Sequence, residues 1–124
     1  MAGGKIGEIK QREIDLLGLT ESAGTPIFSG QQNIDHMRLS HPNDYAKYGH
    51  LVEAIIAAPK YVSLNPNDGS IQYICEYPQD GSDDERVLVA VRAARSGRFF
   101  ARTLFVMSED KWDNYNNNGY IKVY

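Results

Sequence analysis

Two histidines, His36 and His41, stand five residues apart in the stretch 35–42, and they are the first residues in the chain that point to chemistry. Histidine is the side chain best suited to proton transfer near neutral pH. On an ideal helix the two rings would point about 140° apart, although a helix break before Pro42 would redirect His41. Spacing alone leaves two interpretations open: an acid–base pair, or one helix-end histidine and one surface histidine.

Arginines supply the second signal. Between Arg86 and Met107 there are five arginines and no acidic residue, so this segment carries a charge of +5. Since the whole chain has a net charge of −3, the rest of the chain carries −8. A guanidinium group can bind two phosphate oxygens at once, which makes the segment a candidate phosphate-binding surface. The alternative is an edge hairpin charged to discourage aggregation. The five residues are Arg86, Arg92, Arg95, Arg98 and Arg102.

The turn at residues 95–98 decides which of these side chains share a face of the predicted hairpin. A two-residue turn at Ser96 and Gly97 would place Arg92 on one face with Thr103. A three-residue loop would instead place Arg92 with Arg102. In both cases an arginine inside an otherwise apolar strand needs a partner or a ligand.

Metal chemistry has little support in the sequence. The histidine stretch lacks a second carboxylate or a cysteine cluster at metal-ligand spacing, and Cys75 is the only cysteine, so the usual cysteine pairs of a zinc site are missing. We therefore expect no metal, no other cofactor and a reducing compartment. The sequence contains no run of about 18 apolar residues, so it predicts no membrane span. Glu76, near the end of a predicted strand, is a weaker candidate for a catalytic carboxylate.

The elements that must position these residues change in period along the chain. Apolar spacing predicts helices first and strands later, and Ser108 predicts the cap of a further short helix. This order is typical of an α+β domain, and 124 residues are enough for one domain only, which we expect to span 1–124. The predicted helices are 5–17, 31–40 and 43–57, and the predicted strands are 61–64, 71–77, 87–91 and 99–107.

The order of the motifs resembles a known family. Lys5-Ile6-Gly7 comes first, the histidine stretch and residues 53–62 follow, and 87–92 and 100–105 close the pattern. Over about residues 5–107 the chain resembles the phage-associated branch of the barnase/EndoU/colicin/RelE-like (BECR) nucleases. The resemblance implies an α+β fold in which N-terminal helices pack on a four-stranded antiparallel sheet. It also implies a metal-independent ribonuclease of a phage or toxin system.

The resemblance also implies roles for particular residues. One histidine would take a proton from a ribose 2′-hydroxyl and the other would protonate the leaving 5′ oxygen, while arginine stabilises the phosphate charge. We expect Arg95 and Arg98 to bind phosphate or RNA at the edge of the site. The residues expected to line the active site are His36, His41, Arg92, Arg102 and Thr103.

The expected partners are RNA, with tRNA as one candidate, and an immunity or antitoxin protein. The expected location is the cytoplasm of a bacterial host, with delivery by a phage as one route. The alternative interpretation is a non-catalytic phage accessory module of the same fold that binds RNA or a host protein.

Overall fold

A mixed sheet of seven strands runs through the protein in a computed structural model that describes residues 4–124. Its strand order is β1-β2-β6-β5-β4-β3-β7, and every neighbouring pair is antiparallel except β2 and β6. The strands are β1 (Lys5–Glu8), β2 (Pro26–Phe28), β3 (Tyr61–Leu64), β4 (Ile71–Gln79), β5 (Ser82–Ala93), β6 (Phe99–Val106) and β7 (Lys122–Val123).

Four of the five helices described within residues 4–124 precede β3, and the fifth lies between β6 and β7. None of them has the length and apolar character that a membrane span requires. Ser108 caps the last helix as predicted, because its hydroxyl oxygen accepts a hydrogen bond from the Lys111 backbone N–H at 3.1 Å. The helices are α1 (Gln11–Leu17), α2 (Gln31–Ser40), α3 (Pro42–Tyr48), α4 (Val52–Ala57) and α5 (Glu109–Asn117).

The α+β class is confirmed, but the prediction of a four-stranded antiparallel sheet is wrong. The sheet gains β1 and β2 on one side and β7 on the other, and the pairing of Ile27 with Phe99 is parallel. Residues 5–8 form a strand rather than the start of a helix because they pair with β2, and Gly7 allows β1 to pack closely on α4. A Cβ atom at Gly7 would lie 3.0 Å from Ile56 Cγ2.

The predicted helix 43–57 is also interrupted. A 3₁₀ turn, Gly49–Leu51, separates α3 from α4. The Tyr45 ring lies directly against the Gly49 backbone, where a Cβ atom would come within 2.8 Å of the ring. The interruption therefore depends on glycine at this position.

The sheet buries apolar side chains on both of its faces. On the core face, Val87, Val89 and Val91 of β5 join the main hydrophobic cluster with Ile55 and Ile56 of α4. On the opposite face, Leu88 and Ala90 pack with Tyr115 of α5 in a smaller cluster. β5 is therefore apolar without interruption from Val87 to Val91, as expected for a strand covered on both sides.

The outer edge of β6 is covered by helices. β2 pairs only with Phe99 and Phe100, and both α2 and α3 pack against β6. Asp44, in the first turn of α3, accepts a hydrogen bond from the Val106 backbone N–H at 3.0 Å. Such coverage protects an edge strand from pairing with another chain, and it holds the two predicted histidines beside β6.

Candidate functional site

A cavity of about 400 Å³ opens on the sheet face that carries α5. Four of the five residues predicted to line an active site are found in its wall: His36 from α2, Arg92 from β5, and Arg102 and Thr103 from β6. Arg92, Arg102 and Thr103 come from one hairpin, whereas His36 lies more than fifty residues before them, so the fold brings the histidine to the hairpin.

The hairpin between β5 and β6 has the three-residue loop, at residues 95–97. The Ala94 N–H donates to the Arg98 carbonyl at 2.8 Å, and the Gly97 N–H donates to the Ala94 carbonyl at 2.9 Å. Gly97 has a φ of +87°, which a residue with a side chain rarely adopts. This loop places Arg92 opposite Phe100.

A β-bulge at Arg102 then adds one residue to β6. Ala90 pairs with Thr103 and Val91 pairs with Ala101, so Arg102 has no partner in the register. A bulge bends the strand and changes the direction of its side chains. As a result, Arg102 and Thr103 both line the cavity that contains Arg92, whereas each regular register would have placed only one of them there.

Asp68 lies in the same cavity and pairs with Arg92. The Asp68 Oδ2 atom is 3.2 Å from Arg92 Nη1. The pKa of Asp68 is lowered, first by hydrogen bonding from Ser70, whose backbone N–H donates at 2.9 Å, and further by the charges of Arg92 and Arg102. The carboxylate is therefore charged at neutral pH and already serves as a counter-ion to Arg92.

Sequence reasoning missed Asp68 because the stretch 65–69 indicated only a turn. The available signal was its position before β4, the hairpin partner of β5. An acid at that turn lies near the end of β5, where Arg92 stands.

Arg102 has a hydrogen-bond donor to spare. Its Nε atom is buried and has no hydrogen-bond partner among residues 4–124, while its Nη2 atom donates to the Ala93 carbonyl at 3.4 Å. A buried donor without a partner is energetically unfavourable.

The two histidines are placed differently. His36 is exposed on α2, and its Nε2 atom lies 3.3 Å from the Ser40 hydroxyl. His41 is half-buried at the junction of α2 and α3, and its ring centroid lies 5.5 Å from that of Phe105. His36 and Phe105 both line the cavity, whereas His41 lies beside Phe105 and is not among the lining residues.

The remaining arginines lie outside the cavity. Arg95 and Arg98 are exposed at the hairpin loop, and the Arg98 guanidinium lies 5.3 Å from the centroid of the Phe28 ring. Arg86 is ion-paired with Glu76 and Glu109 and stacks on Trp112 at 4.1 Å. A hydrogen bond from Lys60, and then the ion pair with Arg86, lowers the pKa of Glu76. Glu76 thus belongs to an ion-pair network away from the predicted site residues.

A larger cavity, of about 600 Å³, lies elsewhere and includes His50 and Glu53 but none of the predicted site residues. We assign the candidate site to the smaller cavity because the cationic and titratable side chains converge there. Within residues 4–124, no three His, Cys, Asp or Glu side chains are grouped so that they could hold a metal ion.

Comparison with known proteins identifies the family of the chain. A family model described as "phage-Barnase-EndoU-ColicinE5/D-RelE like nuclease3" matches residues 4–114. The chain belongs to this family of phage-associated BECR-like nucleases, and the resemblance found in the sequence is confirmed. Neither a curated protein nor a solved structure matched the chain. The catalytic roles of individual residues stay predictions.

Proposed function

We propose that the protein is an endoribonuclease that cleaves RNA in the 400 Å³ cavity. The observation that carries the proposal is the convergence of His36, Arg92, Arg102 and Thr103 on one wall. Membership of a nuclease family supports a nucleic acid as the substrate. The histidine adds a reason for RNA, since a 2′-hydroxyl becomes a nucleophile when a neighbouring base removes its proton.

The proposed reaction is an intramolecular transfer. One imidazole of the pair His36 and His41 takes the proton of the 2′-hydroxyl, and the oxygen attacks the adjacent phosphorus. The bond to the 5′ oxygen breaks, and the second imidazole supplies the proton to that leaving oxygen. The products are a 2′,3′-cyclic phosphate and a free 5′-hydroxyl.

The cationic wall has a separate role. Arg92 and Arg102 stabilise the charge that develops on the phosphate oxygens, where a positioned donor is worth several kcal/mol. Thr103 adds a hydroxyl donor beside them. Because these side chains move the protons and balance the charge themselves, we propose that cleavage proceeds without a metal ion.

Incubation with total RNA in EDTA tests the proposal. The wild-type protein should cleave, and His36→Ala and His41→Ala should each reduce the rate by about 100-fold or more, the usual contribution of a general acid or base. His50→Ala is the matched control because His50 lines the other cavity. It should cleave at the wild-type rate.

Two results would contradict the nuclease proposal. One is RNA that stays intact with an excess of folded wild-type protein in EDTA. The other is a pair of histidine variants that unfold at the working temperature, since the histidines would then be structural. Thermal unfolding of all three histidine variants separates these cases from a loss of chemistry.

One observation favours a second candidate function, a module that binds RNA or a host protein without cleaving it. Of the two predicted histidines, only His36 lines the cavity, while His41 lies beside Phe105 outside the lining. A cavity with one imidazole and two guanidinium groups is sufficient to hold a phosphate. Binding without cleavage that is lost in Arg92→Ala would support this candidate over the nuclease.

A further inference from the structure

Two phenylalanines beside the cavity have no role in the core. Phe28 pairs with Phe100 across β2 and β6, and Phe100 pairs with Arg92 across β6 and β5, so the three residues form a row across the sheet on one face. Both rings are only half-buried, and among residues 4–124 they belong to neither of the two hydrophobic clusters. Their neighbour Phe99 packs against the main cluster instead.

The rings are arranged as an aromatic surface with a planar cation. Their centroids are 6.0 Å apart with an angle of 45° between the planes. The Arg98 guanidinium lies 5.3 Å from the Phe28 centroid. Aromatic rings and planar guanidinium groups both stack on nucleobases.

This surface adjoins the cavity, because Phe100 pairs with Arg92, which lines it. Neighbouring strands lie about 4.8 Å apart, so Phe100 is one strand away from Arg92 and Phe28 is two strands away. The N-terminus of α2 borders it, since a Cβ atom at Gly30 would lie 4.0 Å from Phe100 Cε1. The Gly30 N–H donates to Asn33 Oδ1 at 3.0 Å, and Asn33 is part of the cavity wall.

We propose that Phe28, Phe100 and Arg98 form a stacking site for an unpaired base next to the phosphate that Arg92 and Arg102 hold. This inference rests on the proposed function and specifies its substrate as single-stranded RNA. The bases of a duplex are stacked on one another and cannot reach the rings. Stacking on a ring does not distinguish among bases, so the site selects strand state rather than sequence.

The test compares two oligomers that the protein cannot cut. One is a single-stranded 2′-O-methyl oligouridylate, and the other has the same backbone and phosphates but no bases. The wild-type protein should bind the first at least about fivefold more tightly, the lower end of the effect of one stacked base. The double variant Phe28→Leu/Phe100→Leu keeps apolar side chains without an aromatic face, so it should lose this preference and bind the abasic oligomer as before.

Phe99→Leu is the matched control, because it makes the same change one residue away on the core face. It should retain the preference. Arg98→Lys keeps the charge at an exposed position and removes the planar group, so it should reduce the ratio of the two affinities at least twofold. This variant tests the inference even if the double variant fails to fold. The inference is overturned if Arg98→Lys and the folded phenylalanine variants keep the full preference.

The outcomes separate this inference from the proposed function. Cleavage of total RNA by wild-type protein with no preference for the base-containing oligomer would overturn the stacking site and leave the nuclease proposal standing. A preference that disappears in the phenylalanine variants, in a protein that does not cleave RNA, would overturn the nuclease proposal and support the stacking site.

Discussion

Asp68 reduces the positive charge of the cavity before a ligand enters. Its carboxylate holds Arg92 at 3.2 Å, so a phosphate that binds Arg92 must displace it or share the guanidinium with it. The pair is partly exposed, with side-chain exposures of 44% for Arg92 and 41% for Asp68. Solvent therefore screens the attraction, and exchange of one anion for another is inexpensive.

We predict that Asp68→Asn strengthens binding of an uncleavable single-stranded RNA by about two- to fivefold at low salt, because an exposed ion pair of this kind contributes up to about 1 kcal/mol. Fluorescence anisotropy of a labelled oligomer measures the change. Asp83→Asn is the control, since Asp83 is exposed near the turn at the opposite end of β4 and β5. Weaker binding by Asp68→Asn would mean that the carboxylate positions Arg92 for RNA.

At this scale the sequence predicted the cations better than their counter-ion. Arg92 and Arg102 are candidates because an arginine in an apolar strand needs a partner or a ligand, and the family resemblance assigns both of them, with Thr103, to the active site. Asp68 stands in a turn, where an acidic residue is common and needs none. Its contact with Arg92 depends on how β4 and β5 pair, which the turn itself does not determine.

Among the elements, the bulge in β6 has the clearest consequence for the site. On its two sides Val91 pairs with Ala101 and Ala90 pairs with Thr103, so the ladder would be regular if Arg102 were absent. Arg102 is thus an addition to the strand, and the pairing of its neighbours does not depend on it.

We predict that deletion of Arg102 leaves the fold intact and reduces RNA cleavage at least tenfold. The ladder closes around the gap, so the midpoint of thermal unfolding should change by only a few degrees. Deletion of Ala101 is the control, because it would move Arg102 opposite Val91 on the buried face and unfold the protein. An unfolded Arg102 deletion would show that β6 requires the extra residue.

The helices and strands that carry a clear local sequence pattern were predictable, and the others were not. α2 coincides with the predicted helix 31–40, since its apolar spacing and the following Pro42 are local signals. β1, β2 and β7 have four, three and two residues, too few to show a period. These three strands form because residues distant in the sequence pair with them. The pairing of Ile27 with Phe99 is one example.

For the whole molecule, the charges suit a partner held by a few phosphate contacts. The chain carries a net −3, while Arg92, Arg98, Arg102 and Lys111 lie in or beside the cavity. We predict that a plot of log K against log salt for single-stranded RNA has a slope of about −2 to −3, the value for three or four neutralised phosphates. Binding titrations at several salt concentrations between about 50 and 300 mM, a roughly sixfold range, measure it.

A slope shallower than −1 would contradict a phosphate-binding cavity. The double variant Arg92→Ala/Arg102→Ala should make the slope less negative by about 1 to 2, since each lost phosphate contact reduces its magnitude by about 0.7. Arg12→Ala is a suitable control because Arg12 donates to the Tyr124 carbonyl at 2.9 Å, away from the residues of the cavity.

A buried carboxylate joins the first helix to the sheet. Glu13 of α1 is 0% exposed and accepts hydrogen bonds from the hydroxyls of Tyr73 at 2.8 Å and Tyr124 at 2.6 Å, with Lys10 Nζ at 3.1 Å. Burial alone would raise the pKa of Glu13, but these bonds and the charge of Lys10 outweigh it and lower the pKa. Glu13 is therefore ionised in the folded protein at neutral pH.

We predict that acid destabilises the protein below about pH 4.5. A carboxyl group with a lower pKa in the folded state stabilises the fold above its unfolded pKa, and this contribution is lost as pH falls through the folded pKa. Glu13, Asp68, Glu76 and Glu85 all have lowered pKa values. Urea unfolding should give a constant free energy above about pH 5.5 and a decline below pH 4.5.

The Glu13→Gln variant checks the cause of this decline. It should be less stable than wild type at pH 7, because a buried charged hydrogen-bond acceptor is worth about 1.5–3 kcal/mol per bond, and its stability should fall less steeply in acid. Glu53→Gln, at an exposed position, is the control. A wild-type stability that stays constant down to pH 3 would contradict the prediction.

The bulge at Arg102 also has a genetic consequence. If Arg102 can be removed without changing the register, as we predict, it corresponds to one codon that can be lost or gained in frame. One such event would remove a guanidinium from the cavity or supply one, and no compensating change elsewhere in the sheet would be needed. Among proteins that share this sheet, the positive charge of the cavity can therefore change in a single mutational step.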